Sequence, residues 1–140
     1  MAEIRLYQPE LDEENLFGLM EEEGDEWQDY WDKQGWLKYQ KALANSQVFV
    51  AYQNQTLCGF IRFKDDDGFG VYIHDLLVRK PARGQHLGRA LMDAVCGHCP
   101  NDTVYVMSDV DAYYAKAGVT HREGSILTVQ KQGITPHDRF

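Results

Sequence analysis

No apolar run in these 140 residues approaches the length that crosses a membrane, and no basic-then-apolar segment opens the chain. Neither a spanning helix nor a secretory signal is expected, and the expected location is the cytoplasm. Cysteine is scarce, with three residues, Cys58, Cys96 and Cys99. An odd number in such a chain argues for free thiols rather than a disulfide framework. Positive charge is also short: 14 Lys and Arg stand against 22 Asp and Glu, for a net charge of −8. Non-specific affinity for nucleic acid comes mainly from cationic contacts with phosphates, so no nucleic-acid partner is expected. Repeats, low-complexity segments and linkers are absent. One domain, residues 1–140, is expected, large enough for a single core.

What positive charge there is clusters. From Leu6 to Asp32 the chain carries eleven acids and no Lys or Arg, whereas Arg79, Lys80, Arg83 and Arg89 crowd one short stretch. Most of the acids read as a solvated face that keeps the protein soluble. The sharper reading is an acidic surface facing a basic loop, suited to a cationic substrate and an anionic cofactor.

Cys96-Gly97-His98-Cys99 has the spacing of a disulfide-oxidoreductase motif. In that chemistry the first Cys opens a helix, where the dipole favours the thiolate. Here the pair follows an apolar helix and sits at its negative end. A closed zinc site needs four ligands, and only Cys96, His98 and Cys99 cluster, so no metal is expected.

Along the chain, Glu3 to Tyr7 reads as a first strand. Pro9 fits the first turn of a helix, Leu16, Leu19 and Met20 form its stripe, and Gly24 interrupts it. Residues 25–44 carry Trp27, Tyr30, Trp31, Trp36 and Tyr39, with Gly35 expected to separate two helices. Trp27 and Trp31, four apart, are expected on one helix face. Core packing suits at least two of the three tryptophans. The alternative is a substrate wall in which Trp27 and Trp31, beside Glu26, receive an ammonium group.

Val48 to Tyr52 and Leu57 to Lys64 read as strands, the second with Leu57, Ile61 and Phe63 on one face. Asp65-Asp66-Asp67-Gly68 is a hairpin signal, leading into Phe69 to Val78 as the longest strand. Leu87, Ala90, Leu91, Ala94 and Val95 have the spacing of an amphipathic helix. Thr103 to Met107 is a further strand. Asp109 is expected to cap a helix through Ala117, closed by Gly118. VTHR and SILTVQ are expected to form a final hairpin around Glu123-Gly124. The order β-α-α-β-β-β-α-β-α-β-β indicates an α/β domain with a mixed sheet.

The chain is organised around His74 to Val95, a strand, a short basic loop containing glycine, and a helix. First-turn N–H groups have no partner inside their helix, and the macrodipole adds positive charge there. Such a turn is suited to a phosphorylated ligand.

At these residues the sequence resembles the GNAT superfamily of acetyl-CoA-dependent N-acetyltransferases, from about Ile4 to Gln130. Two motifs carry the resemblance. The loop Arg83-Gly84-Gln85-His86-Leu87-Gly88 matches the family's Gln or Arg, two residues, Gly, one residue, Gly or Ala. Tyr113-Tyr114-Ala115-Lys116-Ala117-Gly118-Val119 matches an aromatic, Tyr, three residues and Gly-Phe. His86 replaces the loop's usual first glycine. If that position needs a positive φ, histidine is uncommon but tolerated there. Val119 replaces the usual Phe.

The resemblance implies a mostly antiparallel, mixed central sheet, splayed in the middle and flanked by helices. It implies acetyl-CoA as cosubstrate, with pantetheine in the splay against Leu77 and Val78. The amides of Gly84, Gln85, His86, Leu87, Gly88 and Arg89 would hold the pyrophosphate, with Arg83 and Arg89 adding charge. Tyr114 corresponds to the family tyrosine that donates to the coenzyme sulfur. The Leu77 amide would polarise the thioester carbonyl. His74 and Asp75 stand where diamine acetyltransferases have two acids, which makes His74 the base and Asp75 an amine ligand. Successive strand residues face opposite sides, so both reach the acceptor only if a bulge intervenes. The other reading is that one or both satisfy backbone groups near the splay.

The resemblance thus implies acetyl transfer by direct attack in a ternary complex, to a primary amine and most simply a small cationic one. The alternatives are a protein N-terminus or lysine, an aminoglycoside, or a coenzyme-A-binding module without turnover. No membrane partner is implied, and a homodimer is compatible with the chain.

Overall fold

Pro9 opens the first helix because its missing N–H falls where a helix has no use for one. In the computed structural model, which describes residues 2–107, 124 and 126–131, that helix is α1, Pro9–Glu23. It follows strand β1, Glu3–Leu6. A 3-10 turn, Asp25–Trp27, leads into α2, Gln28–Trp31, and then α3, Lys33–Ala44. Three strands come next: β2, Gln47–Gln53, β3, Thr56–Asp65, and β4, Val71–Val78. A 3-10 turn, Lys80–Ala82, precedes α4, Leu87–His98, and β5 is Val104–Val106. Contacts divide the chain into two units, Met1–Asp109 and Val110–Phe140. All the elements above belong to the first.

The sheet order is β1-β2-β3-β4-β5, antiparallel except for the parallel β4–β5 pair. This is the mixed, mostly antiparallel sheet expected. One face carries the core of Leu16, Leu19, Met20, Tyr39, Leu43, Val50, Phe60 and Leu77 beneath α1 and α3. The other lies under α4, where the His98 ring meets Phe49 and Phe63. Gly59 makes that approach possible: a Cβ there would stand 3.0 Å from the Leu77 carbonyl oxygen and 3.3 Å from Leu91.

Three local expectations are corrected. The break between helices falls at Asp32, whose carboxylate caps α3 by accepting from the Gly35 N–H at 2.7 Å. Gly35 lies inside α3's first turn and is needed there, because a Cβ would collide with the Asp29 carbonyl at 1.9 Å. Second, Leu57 does not share a face with Ile61 and Phe63. Ala51 pairs with Gly59 and Tyr52 with Leu57, so Cys58 is an extra residue and Leu57 turns toward Phe60. Third, Ile126 to Gln130 form no strand, and Ile126, Leu127 and Val129 are exposed. An alternating pattern alone does not make a strand without a ladder to join. Trp27 and Trp31 stand on one short turn, Trp27 at the N-cap of α2 and Trp31 as its last residue. The expected helix over 109–117 and the expected strand over 119–122 lie outside the described residues.

Candidate active site

β4 pairs with β5 only at Val71, Tyr72 and Ile73. The last bond of that contact runs from the Met107 N–H to the Ile73 carbonyl at 3.0 Å. From His74 to Val78, β4 pairs on its other side with β3, and among the described residues no strand pairs with its β5 side. The described pairing on the β5 side of β4 therefore ends at Ile73, and residues 108–123, which follow β5, lie outside the described residues.

A second bulge stands at this point. Arg62 pairs with Asp75 and Phe63 with Ile73, which leaves His74 as the extra residue. A one-residue slip moves side chains to the other face of a sheet. Ile73 pairs with Phe63, whose ring meets His98 of α4. Asp75 and Leu77, beyond the bulge, face α3 and the α1–α3 core. The bulge also groups His74 with Asp75, Arg62 and Lys64 as electrostatic neighbours. Burial pushes the His74 imidazole below its ordinary pKa, and the positive charges of Arg62 and Lys64 add to that against the opposing pull of Asp75. A neutral imidazole at neutral pH can accept a proton.

Asp75 is buried and fully engaged at Oδ2. Arg62 Nε donates to it at 2.6 Å and the Tyr39 hydroxyl at 2.7 Å. Burial, then the charge of Asp75, raises the Tyr39 phenol well above its ordinary range, so it stays protonated as a donor. Arg62 and Tyr39 were not anticipated from the sequence. The signal was present: Arg62 is a lone cation between apolar neighbours in Phe60-Ile61-Arg62-Phe63, and a buried cation calls for a partner.

The loop after β4 enters α4 through a left-handed residue. His86 holds φ 60° and ψ 23°, the left-handed conformation, as the N-cap of α4. Gly84 is also at positive φ, 85°. The His86 side chain makes no cap bond, so it leaves the first-turn amides of α4 uncapped. A histidine there bears strain that glycine would not. The loop is tied down at Gln85, which meets Gln53 at 3.0 Å. Leu87 and Gly88 are buried, while Arg89 is exposed beside Asp93 at 3.3 Å.

The basic loop and the acidic segment do meet, in ion pairs with each other at the surface. Arg79 grips Glu22 with two bonds, at 2.8 and 3.0 Å. Arg83 donates to Glu23 at 2.6 Å and to the Val78 carbonyl at 2.8 Å. Glu21 to Glu23 close α1, where negative charge opposes the macrodipole. The two arginines offset that cost and fix the loop against α1. Asp12 is another acid with an internal role, since it is fully buried against Arg5, so the eleven acids are not one solvated face. Glu26 and Asp29 stay exposed. Beside them Trp27 and Trp31 are half-buried: Trp27 packs edge-on to Phe60 at 5.9 Å, and Trp31 Nε1 donates to the Gly24 carbonyl at 3.0 Å. Trp36 meets Phe17 at 5.0 Å.

Burial raises both thiols of the Cys96–Cys99 pair, the opposite of what an attacking thiolate needs. Among the described residues no group of His, Cys, Asp and Glu is arranged to hold a metal. Among them, too, no helix is long and apolar enough to cross a membrane. Tyr113 and Tyr114 lie outside the described residues.

Comparison with known proteins identifies the fold and the family. Residues 10–118 match the model of the acetyltransferase (GNAT) family. A GNAT family acetyltransferase from Streptococcus pneumoniae superposes with a TM-score of 0.69 at 20% identity, over 94% of this chain and 100% of that one. A ribosomal-protein-alanine N-acetyltransferase from Brucella melitensis gives 0.69 at 13%, over 93% and 99%. An aminoglycoside acetyltransferase from an uncultured soil sample, in complex with sisomicin, gives 0.69 at 20%, over 92% and 94%. No curated protein matches the sequence. These identities establish a shared fold, and the family match covers most of the chain. The chain therefore belongs to the GNAT family and is an N-acetyltransferase.

Proposed function

We propose that this enzyme transfers the acetyl group of acetyl-CoA to a primary amine, a small cationic one, by direct attack in a ternary complex. The observation that carries the reading is an imidazole held below its ordinary pKa, chiefly by burial, on the β4 bulge: His74, next to the last residue of the described β4–β5 pairing. Bound acetyl-CoA supplies an acetyl group activated as a thioester. The chain supplies the rest. Leu77 and Val78 offer backbone groups to the pantetheine, and the amides of residues 84–89 receive the pyrophosphate at the positive end of α4. Arg83 and Arg89 border those phosphates. A β4 amide facing away from β3 polarises the carbonyl under attack, whereas the Leu77 N–H lies on the β3 side with that of Arg79, which donates to the Cys58 carbonyl.

His74 takes the proton of the incoming ammonium, leaving the amine free to attack. Tyr114 returns a proton to the departing thiolate, as a phenol that stays protonated near neutral pH can. Asp75 is committed to Arg62 and Tyr39 through Oδ2, so its pull on an acceptor cation is largely spent. The acceptor's positive charge then falls to the exposed Glu26 and Asp29, with Trp27 and Trp31 beside them. An aminoglycoside is a second reading, favoured because the soil enzyme with sisomicin shares this fold and an aminoglycoside is itself polycationic.

A panel of amines incubated with acetyl-CoA and read by mass spectrometry tests the proposal. Di- and polyamines are expected to exceed a neutral monoamine of similar size by about tenfold in kcat/KM, the equivalent of one cation contact. Equal rates across charges would remove the cationic acceptor. Turnover of peptide N-termini alone would replace it with a protein substrate.

A further inference from the structure

The buried ion pair behind His74 has a geometry that its stabilising effect does not explain. Arg62 and Asp75 face each other across the β3–β4 ladder at the bulge itself. Both are largely buried, with side-chain exposures of 15% and 7%. Removing two charges from water costs nearly what their attraction returns, so such pairs add little net stability but can define one arrangement. Here the arrangement is held from four directions. Arg62 Nε reaches Asp75 at 2.6 Å, while its NH1 reaches Ser46 Oγ at 3.0 Å. The Tyr39 hydroxyl reaches the same carboxylate oxygen, and the guanidinium lies 5.4 Å from the Tyr39 ring centre.

We propose that Arg62 is a positioning residue for His74: its pairing with Asp75, braced by Tyr39 and Ser46, pins the β4 bulge and so fixes where the imidazole stands. The inference rests on the reading of His74 as the base. A bulge holds one unpaired residue, and a shift by one place along the strand would exchange faces. His74 would then trade places with a neighbour, and the α1–α3 core would lose Asp75. The Arg62–Asp75 pair blocks that slip, because a slipped register would strand a buried cation opposite an apolar side chain.

The same pair sets the charge that His74 faces. Among the described residues, Arg62 and Lys64 face it from β3, and Asp75 and Tyr72 flank it on β4. Tyr39 of α3 stands behind Asp75, and Tyr105 of β5 stacks on Tyr72 at 5.2 Å. Loss of Arg62 therefore raises the imidazole's titration midpoint, and loss of Asp75 lowers it.

The test is an NMR titration of the His74 ring, identified by its absence in H74Q, beside pH profiles of kcat/KM. Arg62→Met is expected to move the midpoint up by about half a pH unit, and Asp75→Asn to move it down by about as much. Arg62→Lys keeps the charge but loses the two-sided grip. It is expected to leave the midpoint near wild type while lowering kcat about tenfold with little change in KM. If R62M fails to fold, R62M/D75N removes both charges together, an exchange that buried pairs tolerate, and its kcat is expected to stay low. Opposite shifts in R62M and D75N with a low kcat in R62K support the proposal, because general loss of stability does not move one midpoint in two directions. Unmoved midpoints, or wild-type kcat in R62K or in R62M/D75N, overturn it. Midpoints that move as stated while the pH–rate limb stays fixed support the pinned geometry and remove His74 as the base.

Discussion

Replacing His74 with glutamine is expected to lower kcat/KM by about a hundredfold to ten-thousandfold, the range over which a positioned general base contributes. The loss should fall on kcat, since His74 meets the proton rather than the bulk of the acceptor. Glutamine keeps the length and a polar end, and His74 is only half-buried, so folding should be spared. The pH profile gives the sharper signature. In the wild type the acidic limb follows the imidazole, whose pKa lies below its ordinary value because of burial and then Arg62. Activity is therefore retained down to a pH below the ordinary histidine range, and falls beneath it as the imidazole protonates. In H74Q that limb should disappear. If H74Q instead retains wild-type rate and limb, the acceptor reaches the site already neutral and no base acts at this position.

Replacing Asp12 with alanine is expected to cost about 3 kcal/mol of stability, read as a lowered urea midpoint, with no selective effect on turnover in the folded fraction. Asp12 is fully buried in the first turn of α1 and ends four contacts. Arg5 donates twice, each at 2.8 Å, the Tyr52 hydroxyl once at 2.7 Å and the Gln8 N–H once at 2.7 Å. The carboxylate thus joins β1, β2 and α1 at one point, and its removal leaves three donors facing a void. Burial by itself would raise this carboxyl, but the bonds from Arg5, Gln8 and Tyr52 outweigh it and hold the pKa below the usual carboxylate value. The sign follows. A depressed folded pKa contributes stability above the unfolded value near pH 4, and that contribution is lost as the pH falls through the folded pKa. The D12A variant should accordingly unfold less steeply with acid than the wild type between pH 4 and the wild type's own acid transition. A midpoint unchanged by D12A would mean that Arg5 and Tyr52 find equivalent partners elsewhere.

The sequence is most informative where one local rule decides the outcome. Pro9 and Gly24 bracket α1 as expected, β1, β2 and β3 fall within about a residue of their expected bounds, and His86 stands at the left-handed position that a usual glycine would occupy, whereas β4 begins at Val71 rather than Phe69 and is shorter than β3. The splay beside β4 is implied by the family resemblance alone, since the described β4–β5 pairing covers Val71 to Ile73 and the residues after Met107 lie outside the described ones. What periodicity cannot carry is a change of phase. Cys58 and His74 each add one residue to a strand, and each reverses which side chains face the core. An extra residue leaves no mark on composition, so alternation alone assigns Leu57 to the wrong face. The same bulge lets His74 and Asp75 share a set of neighbours, which strict alternation forbids. Pairing over long sequence distances was equally silent. Nothing near Glu22 or Glu23 announces Arg79 or Arg83, and nothing near Tyr39 announces Asp75. These partners come together only through the order of the strands.

The central claim is that the β5 side of β4 beyond Ile73 and the turn into α4 together hold the acetyl donor. A crystal structure of the protein with coenzyme A tests it most directly. The account predicts pantetheine lying along Leu77 and Val78, the pyrophosphate on the amides of residues 84–89, and the thiol end directed toward His74. Coenzyme A bound with its pyrophosphate away from the α4 turn, or with its thiol end remote from His74, would contradict it.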